Sequence, residues 1–129
     1  MPNTQSFTDL RMWQEAHLFV LEVYQLTESY PKNELFGLVS QFRRAAVSIP
    51  ANEAEGYKRK GKLDKLRFFN ISQGSVEECR YYIILSKDLK YINEQNYIHL
   101  IEKLEEASKS LNSYCKTLIE DVNQLKITS

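Results

Sequence analysis

Apolar residues recur at helical spacing along most of the chain, and no stretch alternates apolar and polar residues as a strand does. The first run opens at Thr8, a residue type that caps helix N-termini, with Phe7 and Met12 placed as a hydrophobic staple. Leu10, Trp13, His17, Val20, Leu21 and Tyr24 form one apolar stripe. Met12, Phe19, Val23 and Leu26 form a second, on another side. A helix on the surface of a bundle needs only one such stripe. The second is therefore expected to meet another subunit, which makes Met12, Phe19, Val23 and Leu26 the candidate oligomer interface. Pro31 disfavours helical geometry at Tyr30 and ends the run.

Three more helices are expected. Asn33 caps the second, whose apolar face is Leu35, Leu38, Val39, Phe42, Ala45, Ala46 and Ile49; it reaches about Arg59, and Gly61 ends it. The third covers about Leu63 to Tyr91, with Phe68, Ile71, Ser72, Ser75, Val76, Cys79, Tyr82, Ile83 and Leu89 on one face. Small residues among large ones let a neighbouring helix approach there. Asn93 caps the fourth, which carries Tyr97, Leu100, Ile101, Leu104, Ser108, Leu111, Cys115, Leu118, Ile119, Val122 and Leu125. Long amphipathic helices with short connections imply an all-α, antiparallel up-down four-helix bundle. Residues 1–129 form a single domain in this reading, with 1–6 and 126–129 as flexible ends.

Composition adds limits. A chain of 129 residues with 43% hydrophobic content can bury a core. Seventeen basic residues balance 17 acidic ones, so the protein is not basic all over, although local patches are allowed. Cys79 and Cys115 have no metal-ligand spacing and read as reduced thiols in a cytoplasmic protein. The first ten residues lack the pattern of a signal peptide, and no apolar stretch approaches the roughly 20 residues of a membrane span.

Pro50 sits inside the second helix, where proline removes a backbone hydrogen bond at a cost of roughly 3 kcal/mol and predicts a kink. The lost bond frees the carbonyl of Ala46. On a wheel of roughly 100° per residue, Gln41, Arg44, Ser48, Asn52 and Glu55 fall within about 80° of each other, as a polar ladder beside the apolar face. Ser75 and Glu78 of the third helix stand where they can answer it, and Arg44 with Glu78 is a candidate ion pair. Arg44, Ser48, Asn52, Glu55, Ser75 and Glu78 thus read as a buried network fixing helix register, or as a ligand or nucleic-acid contact. Glu53 falls on the apolar side; a kink rotates it outward, or it pairs there.

Three segments carry a family resemblance: "FTDLRMWQEAHLFVLEVYQLT" (7–27), "YPKNELFGLVSQFRRAAVSIPANEAEG" (30–56) and "FFNISQGSVEE" (68–78). The chain resembles the bacterial four-helix-bundle proteins encoded in intervening sequences of large-subunit ribosomal RNA genes. Glu53 departs from it, since the family usually has an aliphatic residue there. The resemblance implies an up-down bundle assembling as a ring, commonly a homopentamer, with no established catalytic activity. A related branch includes accessory proteins of diversity-generating retroelements, basic rings that bind nucleic acid and a reverse transcriptase.

Enzyme chemistry finds no support in the residues. No Glu-x-x-His pair falls on facing helices, no glycine loop for phosphate occurs, and no cofactor or metal site can be read. The charge anomaly is "YKRKGKLDKLRFF", where Lys58, Arg59, Lys60, Lys62, Lys65 and Arg67 stand against one acid, Asp64. Such a cluster can neutralise phosphates; it can equally be a solvated hairpin tip. The resulting expectation is a non-enzymatic, ring-forming protein that binds RNA or DNA through basic surfaces. The alternative is an oligomeric protein-interaction scaffold.

Overall fold

Cross-helix hydrogen bonds fix the directions of four helices: α1 (Arg11–Thr27), α2 (Ser40–Lys58), α3 (Lys62–Asp88) and α4 (Glu94–Thr128). The structure, a computed structural model, describes residues 4–128, and no strand occurs among them. Arg43 of α2 donates to Thr27 at the end of α1, while Tyr57 donates to Thr4 ahead of its start. Ser72 reaches Ile49, and Tyr82 reaches Gln41, so α3 runs back along α2. Lys87 meets Glu94 at one end of the α3–α4 pair, and Lys62 meets Asp121 at the other. Glu22 meets His99 and Glu15 meets Ser110, which closes α4 antiparallel against α1. Each helix packs on its chain neighbours, and α4 packs back on α1. This is an up-down four-helix bundle.

The row Met12, Ala16, Phe19, Val23 and Thr27 of α1 faces the core. Met12 is 2% exposed and Phe19 and Val23 are 0% exposed, while Leu26 packs against the same core. The expected oligomer interface is therefore this chain's own interior. Ala16, too small to stand out in the pattern, completes the row at helical spacing, and burying its large members contributes roughly 1.5–3 kcal/mol each. The other stripe divides: Leu10 and Val20 join the core, Trp13 packs against it, and Leu21 at 51% and Tyr24 at 41% exposed turn outward beside Leu18 at 55%.

Helix ends differ from expectation in instructive ways. Ser6, not Thr8, is the first cap; it accepts from Thr8 N and opens a 3-10 turn at Phe7–Asp9, and α1 begins after it at Arg11. Gln5 N and Ser6 N both donate to Asp9, so the start is tied down from residue 5; residues 1–3 and 129 lie outside the description. Asn33 does not cap α2. A 3-10 turn (Lys32–Glu34) and a π-turn (Leu35–Val39) precede α2, and Glu34 is their bracket. One Glu34 oxygen accepts from Leu38 N at 3.4 Å and the other from Tyr91 Oη at 2.8 Å. Gly37 leaves the helical region there, and a Cβ on it would lie 2.9 Å from Glu34.

Gly61 is extended rather than left-handed. The end of α2 is capped instead by Lys65, whose Nζ donates to Tyr57 O at 2.6 Å and Gly56 O at 3.4 Å. The left-handed residue is Lys90, at φ 64°, where α3 closes with Lys90 N bonding Lys87 O and Tyr91 N bonding Ser86 O. Asn93 caps α4 as expected, accepting from Asn96 N at 2.7 Å. On α3, Leu66 and Phe69 are core in place of Phe68, and Ile71 and Leu89 lie exposed. On α4 the buried row runs from Leu100 to Leu118, and Ile119 and Leu125 are exposed.

α2 is helical through Pro50, which is buried. Side chains serve the carbonyls just before it: Asn52 Nδ2 donates to Ser48 O at 2.9 Å and Ser72 Oγ to Ile49 O at 2.8 Å. Glu53, one turn on, neither turns outward nor pairs. It is 0% exposed, and neither carboxyl oxygen has a hydrogen-bond partner among the described residues. Burial, with help from the nearby Glu15 carboxylate, pushes its carboxyl up to about 9, so it is a neutral acid at pH 7.

Candidate nucleic-acid interface

The basic hairpin joins α2 to α3, and most of its charge is used within the chain. Arg59 pairs with Glu55 at 3.3 Å and lies over the Phe68 ring at 4.5 Å. Arg67 pairs with Asp64 at 3.1 Å and takes the same ring at 5.1 Å. Lys62 reaches Asp121 of α4 at 3.3 Å. Lys65 caps α2, and burial lowers its pKa. That leaves Lys58 and Lys60, both exposed, without an ion-pair or hydrogen-bond partner among the described residues. Asp64 is the one acid within the segment; Asp121 comes from a distant helix and Glu55 from the turn before.

The polar ladder divides in two. Ser75 Oγ donates to Ser48 Oγ at 2.8 Å, and Asn52 Nδ2 donates to the same Ser48 oxygen at 3.0 Å. These three form a small network across α2 and α3. Glu55 belongs to the Arg59 pair. Arg44 and Glu78 form no ion pair with each other. Both are exposed, and both line a cleft of about 540 Å3 between α2 and α3, floored by Ala45, Ser48 and Ser75. Gln41 and Tyr82 cross its wall, joined at 3.2 Å. Phe36, which lay off every expected apolar face, stands at the cleft 92% exposed. Its sequence signal was an aromatic residue beside a glycine, outside the helical period.

Along the other side of α2, an apolar cleft of about 390 Å3 lies between α1 and α2, lined by Trp13, His17, Val20, Val47, Pro50 and Ala54 among others. His17 stacks on Trp13 there at 4.9 Å. Cys79 and Cys115 are buried free thiols, and burial raises both, Cys115 to about 11. Among the described residues no group of His, Cys, Asp or Glu is placed to hold a metal ion, and no helix is long and apolar enough to cross a membrane.

These features define a small all-α protein: an antiparallel four-helix bundle with a polar cleft on one face and an apolar strip on another. Residues 8–113 match the 23S rRNA-intervening sequence protein family, and the chain belongs to that family. The match extends well into α4. The fold is also that of a crystal structure of a protein of unknown function from the S23 ribosomal protein family of Bacteroides thetaiotaomicron. The likeness has a TM-score of 0.75 at 23% identity, over 81% of this chain and 95% of that one. Among curated proteins, none matches the sequence.

Proposed function

We propose that the protein is a non-enzymatic cytoplasmic assembly module: copies associate into a ring, pentameric as the family resemblance implies, and the ring holds RNA or DNA on its basic positions. The observation that carries the assembly is the outer face of α1. His17, Leu18, Leu21 and Tyr24 stand in solvent along it, contiguous with the Trp13–Val47 cleft. Apolar surface of this kind, rimmed by polar residues, is the usual mark of a protein–protein contact. Repeating Lys58 and Lys60 once per copy turns a weak patch into a multivalent one.

Size-exclusion chromatography with light scattering, recording the 260/280 nm absorbance ratio, tests both halves. A multiple of the chain mass that carries nucleic acid is expected. A monomer at micromolar concentration sinks the assembly. An assembled protein that binds no RNA or DNA at low salt favours the second reading, an interaction scaffold. The internal pairing of Arg59, Lys62 and Arg67 supports that alternative.

A further inference from the structure

The cleft between α2 and α3 has a chemistry that the basic hairpin lacks. Five of the six arginines are engaged: Arg11 with Glu15, Arg43 with Thr27, Arg59 with Glu55, Arg67 with Asp64 and Arg80 with Glu105. Arg44 alone has no partner among the described residues, and it lines the cleft. A free guanidinium presents a planar fork matched to phosphate or carboxylate oxygens. At the same cleft the Phe36 ring is open to solvent on a built support. The π-turn that carries it is held by Glu34 through Leu38 N and Tyr91 Oη, and Glu34 lies close over Gly37. The fold thus fixes an aromatic ring outside the core instead of burying it, which would be worth roughly 1.5–3 kcal/mol. Glu78, also unpaired, lines the cleft. Its charge repels a bare phosphate, so the occupant must also bring an N–H donor.

We propose that this cleft binds one unpaired nucleotide of RNA or single-stranded DNA, with the phosphate on Arg44, the base stacked on Phe36 and an amino-bearing base edge donating to Glu78. The assignment rests on the nucleic-acid half of the proposed function and moves its specific contact away from the hairpin. The volume suits it, since small-ligand sites span roughly 300–1,000 Å3. Stacking on a side chain requires a base free of its duplex neighbours, which selects single strands. A carboxylate accepts from the cytosine N4 amino group and is repelled by the uracil O4 at the same position.

Fluorescence anisotropy with labelled rC10, rU10 and a duplex of equal length tests this on the full chain. Wild type should prefer rC10 to both. Phe36→Ala should weaken rC10 about 5- to 160-fold, the range of one lost stack. Arg44→Gln should weaken rC10 and rU10 alike and lower the log–log salt slope by about 0.7. Glu78→Gln should abolish the preference for rC10 over rU10. Light scattering checks that each variant keeps the wild-type assembly; if Phe36→Ala does not, Arg44→Gln and Glu78→Gln decide. If both of those bind as wild type does while Lys58→Gln/Lys60→Gln weakens binding, the hairpin is the site and this inference fails, with nucleic-acid binding intact. If wild type binds no probe, both fail. Cytidine monophosphate competing as well as rC10 makes the ligand a free nucleotide and overturns the polymer assignment.

Discussion

Gly56 and Phe69 are in such close contact that a Cβ on the glycine would lie 2.5 Å from the phenylalanine ring. Both are buried, and they hold the hairpin ends of α2 and α3 together. Alanine in a helix is ordinarily better than glycine by up to about 1 kcal/mol. Here the ring must shift inside a packed core, which costs about 1–3 kcal/mol. Gly56→Ala should therefore lower the melting temperature by several degrees, and adding Phe69→Leu should recover part of the loss. Thermal unfolding followed by circular dichroism measures both; a stabilised Gly56→Ala would contradict the packing.

Glu53 sets a pH dependence. Its folded pKa is raised from 4.5 to about 9, so between those values the folded chain binds a proton that the unfolded chain releases. Stability from this group is complete below about pH 4.5 and falls as pH rises toward about 9, by up to roughly 1.4 kcal/mol per unit. Glu53→Gln should flatten that slope, and Glu53→Leu should stabilise the protein most at alkaline pH. Denaturant midpoints at pH 6 and pH 9 give the comparison; equal slopes for wild type and Glu53→Gln would be the contrary result.

Lys90 holds a left-handed backbone at φ 64°. A side chain there costs roughly 1–2 kcal/mol that glycine avoids. Lys90→Gly is expected to raise the melting temperature by a few degrees without changing assembly, since the residue is exposed at the end of α3. A lower melting temperature would count against the cap.

The two stripes of α1 predict opposite mutant behaviour. Phe19→Glu puts a charge at a fully buried position and should abolish the helical fold. Leu21→Glu, on the outer face, should leave the circular dichroism spectrum intact and yield smaller species by light scattering. A folded Phe19→Glu, or a Leu21→Glu that assembles as wild type does, contradicts the respective assignment.

The sequence by itself determined that the chain is four helices in an up-down bundle. The period carries that, because a 3.6-residue repeat of apolar positions is a local property; the row from Leu100 to Leu118 was readable for this reason, and of the expected caps Asn93 held. It also marked the ladder, of which Ser48, Asn52 and Ser75 are joined. How far each of the two apolar stripes on α1 faces inward was not readable, because both satisfy the period and only the neighbouring helices choose. The same holds for charge. The hairpin looked free because its partners, Glu55 and Asp121, lie outside the segment, and Arg44 looked paired because Glu78 stands one turn from Ser75 on the third helix. Glu53 and Phe36 invert the usual partition of polar and apolar residues. Their burial and exposure come from packing against α1 and α4 and from the turn braced by Glu34 and Tyr91, contacts made between residues distant in the chain.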